Sequence, residues 1–171
     1  CAKTCSNRTN RRHTYEARIT NCFSIEIMIE VKKPASEQDW EDYYDLRYRI
    51  LREPLGKERG SERHEGDETG IHFALTEHNA LIAVARLDRV NETVCQARFV
   101  AVESHLQGKG YGRKIMTTLE EEALNLGYRK LILHARDYAL PFYERLGYTI
   151  VGPSYKLFDV LQHFEMFKIL S

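Results

Sequence analysis

The apolar positions of this chain change period several times, and each change marks an element. IEIMIEVKK, from residue 25, places apolar side chains at nearly every second position and stops at Pro34, as a strand with one buried face does. In SEQDWEDYYDLRYRIL the period lengthens. Trp40, Tyr43, Leu46 and Ile50 recur at helical spacing behind Ser36, whose hydroxyl suits an N-cap. REPLGKERGSERHEGDETG has few apolar anchors and reads as a loop or a short second helix. HFALTEH and ALIAVARLDRV, meeting at Asn79, predict an antiparallel hairpin, and TVCQARFVAV predicts the next strand after a turn at Asn91.

RKIMTTLEEEALNLG returns to helical spacing, with Ile115, Met116, Leu119, Ala123 and Leu126 on one face and Gly127 suited to the left-handed cap. KLILHAR is nearly all apolar, which predicts a central strand buried on both faces. ALPFYERLG predicts a short helix ended by Gly147, and Tyr148 to Leu170 supplies one or two more strands. The order predicts an α/β (α+β mixed) domain: a mixed, mostly antiparallel sheet of about six to seven strands with helices on both faces. Residues 25–171 form that domain. Residues 1–24, with Lys3, Arg8, Arg11, Arg12 and Arg18 against Glu16 alone, read as a basic extension outside it. Both a targeting peptide and an upstream extension before Met28 fit that segment.

Composition narrows the class. Lys+Arg 25 against Asp+Glu 25 does not point to nucleic acid, and no apolar run approaches the roughly 20 residues of a membrane span. The cysteines, Cys1, Cys5, Cys22 and Cys95, form no Cys-x-x-Cys pair, so neither a metal site nor a disulfide framework is expected and a reducing, cytoplasmic setting is.

The chemistry concentrates in VESHLQGKGYGRKIM. Gly108, Gly110 and Gly112 fall at alternate positions where a strand hands over to a helix. Amides at a helix N-terminus lack partners and sit at the positive end of its dipole, and glycines let a phosphate approach them. Lys109 and Arg113 add positive charge, so the turn is a candidate diphosphate cradle; a tight connection with glycines used only for turning is the plainer alternative. The P-loop pattern is absent. The dinucleotide fingerprint requires Gly-x-Gly-x-x-Gly in the first strand-to-helix turn, whereas this turn follows four strands with Gly-x-Gly-x-Gly.

Gln107-x-x-Gly110-x-Gly112 after a strand ending FVAV resembles the coenzyme A signature of the GNAT superfamily of N-acetyltransferases. LHARDYALPFYERLGY resembles that family's next motif, with Tyr143 four residues before Gly147-Tyr148, and QHFEMFK resembles the His-x-x-Met-x-Lys ending of many bacterial members. The resemblance spans residues 25–170. It implies a cleft where the strands ending at Val102 and near His134 splay apart. It implies that backbone groups of Phe99, Val100, Ala101 and Val102 pair with the pantetheine of acetyl-CoA, and that Gln107, Gly108, Lys109, Gly110, Tyr111, Gly112 and Arg113 surround the diphosphate. The amine of a small-molecule or peptide acceptor then attacks the thioester directly. The Val102 N–H stabilises the oxyanion, and Tyr143 protonates the leaving thiolate. The alternative role for Tyr143 is a half-buried aromatic.

Where some members carry a basic Glu this chain has Gln96, and where many place a cofactor-binding Asn it has Arg136. Glu103, at the expected cleft mouth, is the candidate base, against a reading as a solvated strand-end charge; His134 and His163 follow. Arg47, Arg49 and Arg52 hint at an acceptor bearing an anion, against a solvated helix face paired to Asp45 or Glu53. A non-catalytic acyl-CoA sensor is the alternative function, a dinucleotide-dependent oxidoreductase a distant third, and edge strands leave a homodimer open.

Overall fold

The computed structural model describes residues 29–171, so the basic segment, three of the cysteines and residues 25–28 of the expected first strand lie outside it. Its strands are β1 (Ile29–Lys32), β2 (Ile71–Glu77), β3 (Ala80–Arg89), β4 (Val94–Val102), β5 (Lys130–Arg136), β6 (Thr149–Leu157) and β7 (Leu161–Ile169). They form one sheet in the order β1-β2-β3-β4-β5-β7-β6, antiparallel throughout except between β4 and β5. The expected mixed, mostly antiparallel sheet is therefore found, and the last segment supplies two strands.

Local chemistry sets the turns. His78 and Asn79 adopt left-handed φ values of 49° and 67°, the conformation that a two-residue hairpin loop demands. The Asn91 side chain accepts the N–H groups of Thr93 at 3.0 Å and Val94 at 2.9 Å, turning β3 into β4.

Three α-helices flank the sheet: α1 (Glu37–Leu51), α2 (Tyr111–Asn125) and α3 (Leu140–Glu144). Ser36 caps α1 by accepting the Asp39 N–H at 3.1 Å, while the Asp39 carboxylate accepts the Ser36 N–H at 3.2 Å. Because successive strand residues face opposite ways, each face of the sheet has its own helix. Tyr43 and Leu46 of α1 pack on Ala74, Val84 and Ala101. Ile115, Met116, Leu119 and Ala123 of α2 join Phe73, Leu75, Ala83 and Ala85 in the larger core, each large side chain contributing roughly 1.5–3 kcal/mol by burial.

Two expectations need correction and a third needs refinement. Leu126 is exposed, because α2 has ended there and the chain turns at Gly127, φ 91°. β5 is central but alternates: Leu131, Leu133 and Ala135 are buried, while Ile132, His134 and Arg136 are half-buried on the face that opens into a cleft. The stretch expected to be a loop or a short second helix is a loop with more than one short helix in it. It holds two short 3-10 turns, Glu53–Leu55 and Glu65–Asp67.

That stretch also delivers Asp67 to a buried charge cluster. Arg47 of α1 and Arg86 of β3 are both fully buried, and both donate to the same oxygen of Asp67, Arg47 at 2.9 Å. Arg86 also pairs with Asp88. The Arg47 guanidinium lies over the Phe99 ring, 3.6 Å from its centroid. Phe99 is the extra residue of a β-bulge, where pairing passes from Arg86↔Arg98 to Val84↔Ala101, and it takes a left-handed φ of 53°. An ordinary aromatic holds that conformation only where its surroundings enforce it, and the stacked arginine is part of that enforcement.

Candidate active site in a splayed cleft

The bulge decides where the sheet opens. β4 and β5 pair from Val94↔Lys130 to Ala97↔Leu133 and no further, so beyond Ala97 two neighbouring strands diverge inside one sheet. The opening is a cleft of about 770 Å³ whose walls include Phe99 to Val102 on one side and Leu133 to Arg136 on the other. The expected splay lies between these two strands.

One end of the cleft is the glycine turn. Gly108, Gly110, Gly112, Gln107 and Arg113 line it, as do Val100, Ala101 and Val102. Gly108 and Gly110 have φ values of 79° and 91°, and a Cβ on either would meet nothing within 4 Å. Gly112 serves differently. A Cβ there would lie 3.1 Å from the Phe142 ring, so this glycine lets α2 seat against α3. Gly110 is the N-cap of α2, with no side-chain cap and no acidic residue in the first turn, which leaves the amides there for an anion. The Gln107 side chain donates to the Val102 carbonyl at 3.1 Å, tying the turn to the strand end. These features fit a diphosphate: an uncapped helix terminus, open space where side chains would intrude, and Arg113 beside it.

Lys109 and Tyr111 differ from the other residues of the turn. Neither side chain lines the cleft; Lys109 is exposed, and Tyr111 donates its hydroxyl to Glu77 at 2.8 Å.

Tyr143 lines the cleft from α3, is largely buried, and its hydroxyl makes no hydrogen bond among the described residues. Burial pushes its pKa well above the ordinary tyrosine value, so the phenol keeps its proton at neutral pH. Tyr148 meets it edge-on with centroids 5.7 Å apart. Tyr148 is fixed in turn by Glu120, which accepts its hydroxyl at 2.8 Å and the Lys168 ammonium at 2.6 Å. The Gly147-Tyr148 pair thus supports Tyr143 from behind.

The geometry opposes Glu103 as base. Its carboxylate does not line the cleft and accepts Arg49 Nη1 at 3.0 Å and Nη2 at 2.5 Å. Those bonds hold its pKa below the usual glutamate range, the wrong direction for a proton acceptor. His163 is better placed. It lines the cleft, and its Nδ1 lies 3.0 Å from the Leu161 carbonyl. A carbonyl can only accept, so Nδ1 carries the proton and Nε2 is left as the acceptor. Burial lowers its pKa, keeping the ring neutral near pH 7. His134 also lines the cleft and contacts Ser154 through Nδ1 at 2.8 Å.

Of the three α1-region arginines, only Arg52 reaches the cleft. Arg47 is buried on Asp67, and Arg49 pairs with Glu103 and Asp45, so the expected solvated face holds for none but the Arg49–Asp45 pair. Arg136 does not pair with Asp137. It donates to the Tyr138 hydroxyl at 2.8 Å and to the Leu51 carbonyl at 3.0 Å. Cys95 is buried and forms no disulfide among the described residues, its thiol pushed up to about 12 by burial. No helix among the described residues is long and apolar enough to cross a membrane.

Residues 36–148 match the family model described as acetyltransferase (GNAT) family. A Bacillus subtilis protein classed by inference as an acetyltransferase is 29% identical over 143 residues, covering 82% of this chain and 96% of the relative. A crystal structure from Lactobacillus plantarum, classed by inference as an N-acetyltransferase, superposes with TM-score 0.74 at 25% identity over 84% of this chain and 99% of that one. A GNAT family acetyltransferase from Elizabethkingia anophelis, solved with acetyl-CoA bound, shares the fold: TM-score 0.69, 16% identity, 83% of this chain and 98% of that one. The chain belongs to the GNAT acetyltransferase family and is an N-acetyltransferase.

Proposed function

We propose that the chain transfers an acetyl group from acetyl-CoA to the primary amine of an acceptor in a ternary complex, with Tyr143 as general acid. The observation that carries this is the pairing, in one cleft, of an uncapped glycine-rich helix terminus with a protonated tyrosine hydroxyl free of other bonds. Acetyl-CoA supplies a thioester whose carbonyl carbon accepts the amine and whose sulfur leaves.

The chain's own residues do the rest. Amides of Gly108 to Arg113 hold the diphosphate. The edge of β4 beyond the Phe99 bulge, unpaired with β5, takes the pantetheine as a further strand would be taken. The Val102 N–H faces the developing oxyanion. Fixing both reactants supplies much of the acceleration, since well-oriented neighbours gain about 7–11 kcal/mol over free encounter. Tyr143 gives its proton to the departing sulfur, and His163 Nε2 takes the surplus proton of the attacking amine.

The test is a thermal-shift titration with acetyl-CoA, coenzyme A and NADH, followed by an amine screen for thiol release. A ligand that binds only the folded state raises the melting temperature as RT ln(1 + [L]/Kd). A shift with both coenzyme A forms and none with NADH supports the cradle. No shift with either coenzyme A form would reduce the glycine turn to a connection.

A further inference from the structure

The charges around the cleft, taken together with the transferase reading on which this inference rests, bear on the chemistry of the acceptor. The cleft wall includes no aspartate or glutamate among the described residues, yet Arg52 and Arg136 both line it. Arg52 Nε donates to the Ser61 carbonyl at 2.9 Å and Nη1 to the Leu51 carbonyl at 3.2 Å. Arg136 Nη2 donates to that same Leu51 carbonyl at 3.0 Å, and Nη1 to the Tyr138 hydroxyl at 2.8 Å. Every hydrogen bond of either guanidinium among the described residues therefore ends on a neutral oxygen. Arg52 Nη2 and Arg136 Nε make none.

This is unlike the protein's treatment of its fully buried arginines. Arg47 and Arg86 share Asp67. Arg52 is as buried as a core residue, and its pKa is depressed first by that burial and then by the charge of Arg136 beside it. Two cations converging on one carbonyl, half out of water and with no carboxylate bonded to either (buried Glu62 acts on Arg52 only from a distance), form an arrangement that an anion completes. Arg136 also stands opposite His163 in the β5–β7 register, so the pair adjoins the group that takes the amine's proton.

We propose that Arg52 and Arg136 recognise an oxyanion, carboxylate or phosphate, carried by the acceptor itself, so that the acceptor is a small amine bearing an acidic group a few bonds from its nitrogen. Guanidinium forks match both groups in geometry, and the free Nη2 and Nε donors supply the contacts. A neutral or polycationic amine would leave the two arginines uncompensated and add repulsion.

The full chain loaded with coenzyme A is titrated calorimetrically with matched probes: alanine against alaninamide, and glucosamine 6-phosphate against glucosamine. The carboxylate and phosphate arms separate the two sources of negative charge. In at least one pair the anionic member is expected to bind about ten-fold tighter or more, the range of a charge-assisted fork. Arg136→Met erases that difference while leaving the coenzyme A Kd unchanged, and Arg136→Lys keeps part of it. Neutral members binding equally well or better in both pairs would overturn the proposal, and this comparison needs no variant to fold. A weakened coenzyme A Kd in Arg136→Met, with acceptor preference intact, would also overturn it by assigning the guanidinium to the cofactor. Anion-selective binding without thiol release from acetyl-CoA would support the anion site and defeat the transferase reading instead.

Discussion

Arg49 and Glu103 form a two-pronged ion pair, 3.0 and 2.5 Å, that joins α1 to the end of β4 at the rim of the cleft. Glu103→Gln is therefore expected to leave turnover within a few-fold of the parent, the pair being partly exposed and contributing about 1 kcal/mol or less to stability. Because Arg49 holds the folded carboxylate below its ordinary value of 4.5, the stabilisation is complete above that value and is lost as pH falls through the folded one. Acid unfolding followed by circular dichroism should begin at higher pH in the variant. A loss of turnover as large as that of a catalytic base would reinstate Glu103 in the chemistry.

Tyr143→Phe removes the hydroxyl and little else, because the ring keeps its packing against Phe142 and Tyr148. Turnover should drop about 10²-fold or more, the usual worth of a positioned proton donor, while coenzyme A affinity stays level. Thiol release and calorimetry read the two effects separately. Unchanged turnover would return Tyr143 to a packing role.

The pH profile tests His163. Burial lowers its pKa below the ordinary 6.5, and the neutral ring is the active form. Activity as kcat/KM should hold through pH 6.5 and decline only below it, with that acid limb absent from His163→Gln. A limb above 6.5, or one that survives the substitution, would direct attention to His134 or to water.

The glycines of the turn should fail in different ways. Gly112→Ala pushes a methyl against Phe142 and is expected to cost about 1–3 kcal/mol of stability by overpacking. Gly108→Ala meets no atom, so beyond the cost of its left-handed φ its effect should appear as weaker coenzyme A binding. Melting temperature and Kd measured on both variants would distinguish them; the reverse pattern would mean that the phosphates lie elsewhere.

Asp67→Ala leaves the fully buried Arg47 without a carboxylate partner and Arg86 with Asp88 alone. A loss of about 3–5 kcal/mol is expected in urea unfolding, far beyond what a loop aspartate ordinarily contributes.

Elements whose chemistry is local were legible in the sequence. The Ser36 cap, the His78-Asn79 hairpin, the stop at Gly127 and the glycine turn each depend on residues within a few positions of one another. What was not legible depends on distant convergence. Arg47 read as an anion contact or a solvated helix face and Arg86 drew no reading, because nothing in either neighbourhood shows that Asp67 arrives between them from a loop without apolar rhythm. Glu103 looked available for the same reason, since its partner is 54 residues away. Arg136 stood out only as a departure from a motif, and its meeting with Arg52 at one carbonyl required the folded chain.

The bulge at Phe99 has a consequence for how this enzyme can change. The residue that stacks on it, Arg47, belongs to the same helix that ends in Ile50 and Leu51 and leads into Arg52 on the acceptor side of the cleft. The Phe99 bulge and the cleft wall at Arg52 are thus joined through a single segment. On the function proposed above, substitutions that retune acceptor choice by shifting α1 are expected also to disturb β4, and their effects on the two substrates will not add. Laboratory evolution of a new acceptor should accumulate compensating changes around Phe99 and Asp67.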